Sequence, residues 1–404
     1  MTEQKPTTLH ELRLAHFKRF AQQTFPLRAL TLLCGLNGSG KSTLIQALLL
    51  GMSGLQAGPA GFVALNHPWL PLGMADDVFT FGESSSEIAL GLTFSDRVDW
   101  SLTLQRQSDP LRLTVQTSLT HQELQKRFTT LKGRPWFAYL SAERLGPRIQ
   151  LPLATHGEGS VFVGSQGELT ADCLYTNSQH QVAERRRHPA SQSEEEELIT
   201  LPKQTERWMA EFVPGLQIQA LRSTDTLQST FRFRIGAQES VRPTNMGFGV
   251  SYALPIVVQG LLMAPGQILI VENPEAHLHP AGQSAMGRFL GLCAADGVQV
   301  IVETHSDHVL HGICLAALED RHPLRREDVL IHHFLMEPQA GQLVLAIELD
   351  RRGGFTSNPP GFFDQSAKDL QAILAARRPE AQVAKKLRDQ AEARKRAEGD
   401  GQDG

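Results

Sequence analysis

The sequence has few cysteines, no long apolar run and no large excess of one charge. Its four cysteines, among 404 residues, lack the spacing of metal ligands or of a disulfide framework, so we expect small core residues in a reducing compartment. No uncharged apolar run could cross a bilayer, and segment 1–10 lacks the apolar stretch of a signal peptide. We therefore expect a cytoplasmic protein without a membrane partner. The net charge of −4 gives no overall electrostatic case for nucleic acid.

The first positive signal is the segment Gly35-Leu36-Asn37-Gly38-Ser39-Gly40-Lys41-Ser42. It lies between an apolar run that predicts a strand, Leu30–Cys34, and a segment that predicts a helix, Lys41–Gly51. This is the context of a phosphate-binding loop, in which Lys41 reaches the β- and γ-phosphates and Ser42 ligates Mg²⁺. ATP and Mg²⁺ are therefore the predicted cofactors. The predicted binding residues of the loop are Asn37, Gly38, Ser39, Gly40, Lys41, Ser42 and Thr43.

The first third of the chain shows mixed strand and helix patterns. We predict strands at Leu12–Phe20, Ile88–Phe94, Trp100–Leu104, Leu111–Val115 and Trp136–Leu140, and a helix at Gln122–Lys132. The strands between residues 88 and 115 are separated by short polar turns, which is typical of an antiparallel meander. The Gly- and Pro-rich segment 52–77 is expected to be irregular.

The segment 150–200 is weakly patterned and carries two opposed charge runs, Arg185–Arg187 and Glu194–Glu197. Such runs favour a solvated, mobile insertion. Ordered helix is expected to resume at Glu206–Phe212. The charged tail after Pro379 is expected to be a frayed surface helix.

Two apolar runs, Ile268–Val271 and Val298–Val302, predict buried parallel strands. Glu272 and Glu303 follow these runs directly. Ligands gather at the carboxyl ends of parallel strands, and neighbouring strands lie side by side. We therefore expect both acids to converge on one magnesium site.

The stretch Glu272-Asn273-Pro274-Glu275-Ala276-His277-Leu278-His279-Pro280 resembles the Walker B region of ABC-type ATPases of the SMC, RecF and OLD kind. The resemblance is greatest to stand-alone bacterial members, often described only as AAA ATPases. Further similar segments are Phe17–Phe20 before the loop, Tyr139–Arg148 between the two halves, Asn245–Ser251 at the signature position, Glu303–Ser306 at the switch-histidine loop and Gly361–Asp364 near the end. Segments 52–135 and 150–205 carry little of the resemblance.

The resemblance implies an α/β fold: an ABC-type P-loop ATPase head with a mainly parallel core sheet, an antiparallel β subdomain and a helical or irregular insertion. The expected divisions are 1–51 and 207–350 for the two parts of the ATPase core, 52–141 for the β-rich lobe, 142–206 for a partly mobile insertion, and 351–404 for the C-terminal segment and tail.

The resemblance also implies a mechanism. Two heads meet head-to-tail, and ATP lies between the phosphate loop of one subunit and the signature of the other, where Asn245 and Gly247 bind the γ-phosphate. Glu272 would ligate the metal together with Ser42, and His305 would sense the γ-phosphate. A homodimer or higher homo-oligomer is therefore expected.

One position departs from the family pattern. The family usually places a second acid after the Walker B acid, and this chain has Asn273. Asparagine orients water but cannot accept its proton, so Glu275 and Glu303 are the remaining candidates for the general base. The predicted catalytic residues are Glu272, Glu275, Glu303 and His305. Hydrolysis is expected to be slow, which suits a switch better than a pump.

Two functions follow as hypotheses. One is an ATPase whose dimerisation switches or drives a nucleic-acid-related or antiphage-defence complex. The other is a nucleotide-gated scaffold with little or no hydrolysis, which Asn273 favours. The chain after His305 is too short for an added nuclease domain, so we expect the effector on a partner protein encoded nearby and leave nucleic acid open as a further partner. A transporter subunit is disfavoured because the usual Leu-Ser-Gly-Gly-Gln is missing.

Several polar residues keep alternatives open. His277 and His279 fit a dimer-contact loop or a metal pair without a third ligand. Arg144 and Arg148 fit anion contacts or structural ion pairs. For His305, a helix-capping or core histidine is the alternative to a phosphate sensor.

Overall fold

The computed structural model of the protein describes residues 8–58, 60–67, 69–82, 85–96, 98–117, 136–154, 161–191, 196–319, 324–351, 354–376 and 390. The chain divides into two compact units, Met1–Ser357 and Asn358–Gly404. No helix in the described ranges is long and apolar enough to cross a membrane. Three predictions lie outside the described residues: the helix at Gln122–Lys132, the side chains of the run Glu194–Glu197, and nearly all of the tail after Pro379.

The first half of unit one is rich in strands. In chain order its elements are β1 (Leu9–Phe17), β2 (Phe20–Pro26), β3 (Leu30–Gly35), α1 (Lys41–Ala57), β4 (Phe62–Ala64), β5 (Asn66–His67), β6 (Leu70–Pro71), α2 (Ala75–Val78), β7 (Glu87–Phe94), β8 (Asp99–Arg106), β9 (Arg112–Thr117) and β10 (Phe137–Leu140).

The second half of unit one alternates helices and strands. Its elements are β11 (Leu151–Pro152), α3 (Thr170–Thr176), α4 (Leu201–Ala210), β12 (Leu216–Ser223), β13 (Gln228–Ile235), α5 (Phe248–Leu262), β14 (Ile268–Glu272), α6 (Pro280–Ala295), β15 (Gln299–Glu303), α7 (Asp307–Ala317), β16 (Val329–Gln339) and β17 (Gln342–Ile347). Short 3₁₀ helices lie at Glu184–Arg186, Glu196–Ile199, Pro243–Asn245 and Arg326–Asp328.

A six-stranded, mainly parallel sheet forms the centre of unit one. Its order is β10-β14-β15-β3-β16-β17, and only the edge pair β16–β17 is antiparallel. The strand that precedes the phosphate loop, β3, therefore lies directly beside β15, and β15 beside β14. The predicted parallel strands are confirmed, and their carboxyl ends share one edge with the loop.

A second six-stranded sheet, β2-β1-β7-β8-β9-β4, is antiparallel throughout. It contains the predicted meander of three strands, now bounded as β7, β8 and β9. One hydrophobic core joins this sheet to the parallel sheet through α1, whose Leu44, Ile45, Leu48 and Leu49 are fully buried. Because the core surrounds α1, the helix after the phosphate loop is fixed from both sides.

Helix α1 extends six residues beyond Gly51, so the predicted end of this helix is wrong. Gly51 and Gly54 face the antiparallel sheet, and a Cβ at Gly54 would lie 2.5 Å from Leu102 Cδ2. Glycine therefore permits close helix–sheet contact here. The helix ends at Gly58, whose φ of 72° is left-handed.

The predicted single strand Leu12–Phe20 is a hairpin instead. Phe17 pairs with Phe20 across a two-residue turn, and Lys18 has a φ of 50°. Both phenylalanines are buried, so the apolar pattern continues through the reversal and conceals it. The segment 52–77 is also more regular than predicted, because it contains the end of α1, β4–β6 and α2.

The prediction of a solvated charge run is wrong for Arg186. This side chain is 4% exposed. It pairs with Asp296 at 2.7 Å and donates to the carbonyls of Gly260 and Leu261 at the end of α5. A cation at a helix C-terminus satisfies carbonyls that have no partner within the helix.

Unit two contains a helix at residues 365–376. Asp364 precedes it, accepts from the main-chain N–H of Gly361 at 3.0 Å, and pairs with Lys368 at 2.7 Å. Gly361–Asp364, which resembles a closing motif of the family, therefore forms the start of this helix.

Candidate active site

The phosphate loop connects β3 to α1 at the carboxyl edge of the parallel sheet. Gly38 and Gly40 have φ angles of 77° and 102°, in the left-handed region that glycine adopts without a Cβ penalty. A Cβ at Gly40 would also lie 2.5 Å from Arg19 Cδ. Since α1 begins at Lys41, the positive end of its dipole faces the loop, as an anion site requires.

Lys41 and Ser42 contact the acid at the end of the neighbouring strand. Lys41 Nζ donates to the carbonyls of Gly35 and Leu36, each at 3.0 Å, and lies 3.8 Å from the Glu303 carboxylate. The Ser42 hydroxyl donates to the same carboxylate at 3.2 Å. Lys41 is 4% exposed and Glu303 is 6% exposed. Two predicted loop residues and one predicted acid therefore lie together, with Lys41 and Glu303 buried and Ser42 exposed.

Glu272 lies beside this cluster as the register partner of Glu303. Burial raises the pKa of Glu303 to about 7, the charge of Glu272 adds to the rise, and Lys41 and Ser42 oppose it. Burial also raises the pKa of Glu272, whose carboxylate accepts from the Ala142 N–H at 3.1 Å. Two neighbouring carboxylates whose pKa values are raised in this way are stabilised as anions by a nearby cation.

Glu275 contacts the loop that carries the switch histidine. Its carboxylate accepts from the Thr304 hydroxyl at 2.7 Å and from the main-chain N–H of His305 at 2.8 Å. The His305 side chain is exposed, and its pKa is lowered by partial burial and by the charge of Lys41. Ser306, and not His305, caps the start of α7. His305 is therefore neither a core nor a capping histidine.

Asn273 has a backbone conformation that explains its residue type. Its φ of 43° lies in the left-handed region, which asparagine tolerates better than most residues. Its N–H donates to the Glu303 carbonyl at 2.8 Å, and its carbonyl accepts from Arg144 at 2.6 Å. The residue where an acid is usual thus connects the ends of two strands.

Arg144 lies in the loop after β10 and is 2% exposed. It donates to four main-chain carbonyls, at 2.7 Å to Ser141, 2.6 Å to Glu272, 2.6 Å to Asn273 and 3.1 Å to Tyr252. Its guanidinium lies 5.3 Å from the centre of the Tyr252 ring. Burial lowers its pKa to about 10, so it stays a cation at neutral pH. Arg144 is therefore structural, through carbonyls rather than through the ion pairs considered from the sequence.

The signature-like segment is exposed at the start of α5. Asn245 ends a 3₁₀ turn and Gly247 is the N-cap residue, and both are exposed. A Cβ at Gly247 would meet no atom within 4 Å. Within the described part of the chain, no hydrogen bond joins residues 245–251 to residues 35–42.

The two histidines considered as a metal pair do not form such a site. The described residues contain no group of three or more His, Cys, Asp or Glu side chains arranged around a metal. His279 caps α6 through its ring, and the His277 ring packs against Tyr252 with centroids 4.6 Å apart.

Two residues without a predicted role, Arg19 and Tyr139, contact the site. Arg19 donates to the carbonyl of Ser39 in the phosphate loop and, at 3.2 Å, to that of Met336. Tyr139 hydrogen-bonds Glu272. Both lie in segments that carry the family resemblance, Phe17–Phe20 and Tyr139–Arg148, so their position in those motifs was the available signal.

Comparison with known families gives a match over most of the chain. The family described as "AAA domain, putative AbiEii toxin, Type IV TA system" matches residues 30–311, a range that includes the phosphate loop, Walker B and His305. No curated protein matches the chain.

Solved structures with this fold include SMC head domains. An SMC head bound to the C-winged helix domain of ScpA has a TM-score of 0.50 and 15% identity, and covers 85% of this chain and 99% of its own. A Pyrococcus furiosus SMC head with an extended coiled coil has a TM-score of 0.49 and 12% identity, with coverages of 91% and 99%. At this identity, the first match shows the fold alone: an ABC-type P-loop ATPase head, as predicted.

Proposed function

Because the chain belongs to this family of AAA domains and has an SMC-like ATPase head, we propose that it binds Mg·ATP, hydrolyses it slowly, and dimerises head-to-tail when ATP is bound. The observation that carries the proposal is the cluster of Lys41, Ser42 and Glu303, with a lysine, a hydroxyl and a carboxylate within 4 Å at a helix N-terminus. Phosphate-loop ATPases bind the nucleotide phosphates with the loop lysine and hold Mg²⁺ through the loop hydroxyl and a nearby acid.

The residues of the loop fit a bound nucleotide. The Ser39 hydroxyl is buried and has no hydrogen-bond partner among the described residues, which is unusual for a buried polar group. The Lys41 ammonium donates to carbonyls of its own loop, so it already lies within the curve of the backbone. ATP would supply the phosphoryl group, and Asn37–Thr43 would bind its phosphates.

The acids fit a magnesium ion. Ser42 and Glu272 are the ligands that the family resemblance implies, and Glu303 lies beside this pair through its contact with Ser42. Hard oxygen donors of this kind suit Mg²⁺. Mg²⁺ would neutralise the repulsion between the two carboxylates.

For catalysis we assign three roles. Glu303 is the best candidate for the general base, because its carboxylate lies beside Ser42 at the end of the strand next to the phosphate loop and a carboxylate can accept the proton of the attacking water. Glu275 positions the switch-histidine loop through Thr304 and the His305 N–H. His305 would contact the γ-phosphate.

The exposed signature supports assembly in trans. Asn245 and Gly247 present main-chain groups at a helix N-terminus without contacting their own phosphate loop, and a second head could bring them to its ATP. If the phosphate loop of each copy pairs with the signature of the other copy, the result is a two-fold dimer with two composite sites.

The cellular task that we propose is a switch in a nucleic-acid-related or antiphage-defence complex, with the effector on a partner protein. A second candidate is a nucleotide-gated scaffold without turnover. Asn273 favours this candidate, because no acid stands at the position where the family usually has its catalytic glutamate.

The test of ATP binding is thermal unfolding with and without Mg·ATP. Ligand that binds only the folded state raises the melting temperature by mass action. Lys41→Ala should abolish the rise, whereas Lys203→Ala, an exposed lysine paired with Glu206, should retain it. Equal ATP-induced stabilisation of Lys41→Ala and the wild type would refute the assignment. Turnover of ATP by the wild type separates the enzyme from the scaffold.

A further inference from the structure

A continuous set of contacts leads from the phosphate loop to the signature helix within one chain. Ser42 donates to the Glu303 side chain at 3.2 Å. The Glu303 carbonyl accepts from the Asn273 N–H at 2.8 Å, and the Asn273 carbonyl accepts from Arg144 at 2.6 Å. Arg144 then donates to the Tyr252 carbonyl, in the second turn of α5, at 3.1 Å.

Arg144 is the only one of these residues that contacts both the Walker B end and the signature helix through its side chain, among the bonds described. Its fork of donors is well suited to this, because a planar guanidinium binds several carbonyls in fixed directions and a lysine ammonium does not. Because the Arg144 side chain is itself only 2% exposed, any of its N–H groups that loses its carbonyl would be a buried donor without a partner.

Close backbone packing supports the same connection. Gly146, two residues after Arg144, lies against the signature residue Phe248, and a Cβ there would come within 2.7 Å of the ring. On the other side, a Cβ at Gly249 would lie 2.7 Å from the His277 carbonyl in the loop after β14. A displacement of the loop after β10 or of the loop after β14 would therefore push directly on the start of α5.

We propose that Arg144 is a positioning residue that couples occupancy of the phosphate loop to the placement of the signature segment 245–251, so that a head offers its signature to a partner head only when its own site is loaded. This inference rests on the proposed function. It deepens that function by making assembly depend on both nucleotides, one in each subunit.

The chain provides a matched control in Arg186. Arg186 is also a buried arginine, 4% exposed, that donates to main-chain carbonyls of α5, but at the opposite end of the helix. Arg144→Lys and Arg186→Lys both remove buried guanidinium–carbonyl bonds from α5. Only the first interrupts the path to the phosphate loop.

The first measurement is hydrogen exchange of the amides in residues 245–254, at a protein concentration where light scattering reports monomer, with and without Mg·ATP. The wild type and Arg186→Lys should show an ATP-dependent change in exchange, and Arg144→Lys should show none. All three proteins should bind Mg·ATP with dissociation constants within about threefold of one another, which is less than the tenfold change that about 1.4 kcal/mol of binding free energy produces. An unchanged ATP response in Arg144→Lys would overturn the coupling, as would its loss in both variants.

The second measurement is ATP-dependent dimerisation. Arg144→Lys should need at least about tenfold more protein to dimerise, a shift of the size typical of allosteric coupling, while Arg186→Lys should match the wild type. If Arg144→Lys folds poorly, Tyr252→Leu removes the ring beneath the guanidinium and should give a smaller change in the same direction. If the wild type transmits the exchange change but never dimerises, the proposed function fails and the coupling stands.

Discussion

The Glu303 carboxylate lies 3.2 Å from the Ser42 hydroxyl, although the two residues are 261 positions apart in the sequence. The contact exists because β15 lies directly beside β3 in the parallel sheet, so the end of one strand meets the loop that follows the other. Glu272 ends the next strand. Glu303, on the strand adjacent to β3, is thus closer to the phosphate loop than Glu272. We therefore expect the two acids to respond differently to substitution.

Glu303→Gln should abolish most ATP hydrolysis while leaving nucleotide binding in place. Removing a general base typically costs a factor of about 100 or more in rate, and the amide keeps the size of the side chain beside Ser42. Single-turnover hydrolysis and Mg·ATP binding should be measured separately for Glu303→Gln, Glu275→Gln and Glu272→Gln. We expect Glu272→Gln to raise the Mg²⁺ concentration required.

The control for this series is Glu143→Gln, an exposed acid in the loop after β10. It should hydrolyse ATP at the wild-type rate. Loss of hydrolysis with retained binding in Glu275→Gln alone would move the base to Glu275. If both Glu303→Gln and Glu275→Gln hydrolyse ATP like the wild type, neither acid is the base and the scaffold becomes the better description.

Asn273→Asp should speed hydrolysis if the missing acid limits turnover. Aspartate also tolerates the left-handed backbone at this position, so the main-chain bonds to Glu303 and Arg144 can persist. Asn273→Gly keeps that backbone without adding a carboxylate and is the matched control. We expect at least about a fivefold rise in single-turnover rate for Asn273→Asp, which corresponds to about 1 kcal/mol of barrier, and none for Asn273→Gly. Equal rates in the two variants would exclude the absent acid as the cause of slow turnover.

The sequence predicts the edge of the sheet well, because its signals there are local and strong. Leu30–Cys34 is an apolar run that ends at the distinctive glycine-rich loop, and Ile268–Val271 is an apolar run that ends at Glu272. The order of the strands is a different matter. No local pattern states that β15 lies between β3 and β14, so the contact between Ser42 and Glu303 required the fold.

The roles of Arg144 and Arg186 were also beyond sequence reasoning. Both lie in charged or polar segments, which usually indicate solvent, yet each is buried and donates to several main-chain carbonyls, of which at least one belongs to α5. The burial of an arginine depends on carbonyl groups that lie far away in the sequence. In the same way, the positive φ of Asn273 explains why asparagine suits this position, whereas the sequence alone indicates only that the usual acid is absent.

Gly247→Asp should block ATP-dependent dimerisation and spare ATP binding by the monomer. Space around Gly247 is open, and aspartate is a favourable residue at a helix N-cap, so the variant should fold at least as well as the wild type. In a head-to-tail dimer its carboxylate would face the γ-phosphate of the partner's ATP and repel it. Light scattering with Mg·ATP measures the assembly, and Gly247→Ala, which adds a Cβ without charge, should still dimerise. A dimer of Gly247→Asp as stable as that of the wild type would exclude this geometry.

His332 should make the protein less stable in mild acid. Its ring is 2% exposed on β16, Nε2 donates to the Pro26 carbonyl at 2.8 Å, and Nδ1 has no partner among the described residues. Burial lowers its pKa from 6.5 to about 4, and the charge of Arg28 acts in the same direction. The neutral ring is thus favoured in the folded state, and the unfolded chain binds a proton first as the pH falls below 6.5.

Stability from this group is therefore fully present above pH 6.5 and is lost as the pH falls toward 4. At about 1.4 kcal/mol for each pKa unit, the loss approaches about 3 kcal/mol. Denaturant unfolding between pH 7 and pH 4 measures it. His332→Gln retains a donor for Pro26 but cannot titrate, so it should be less stable at pH 7 and show a shallower fall with acid. His311→Gln, at an exposed position of α7, should keep the wild-type slope, and an equal slope in His332→Gln would show that another group is responsible.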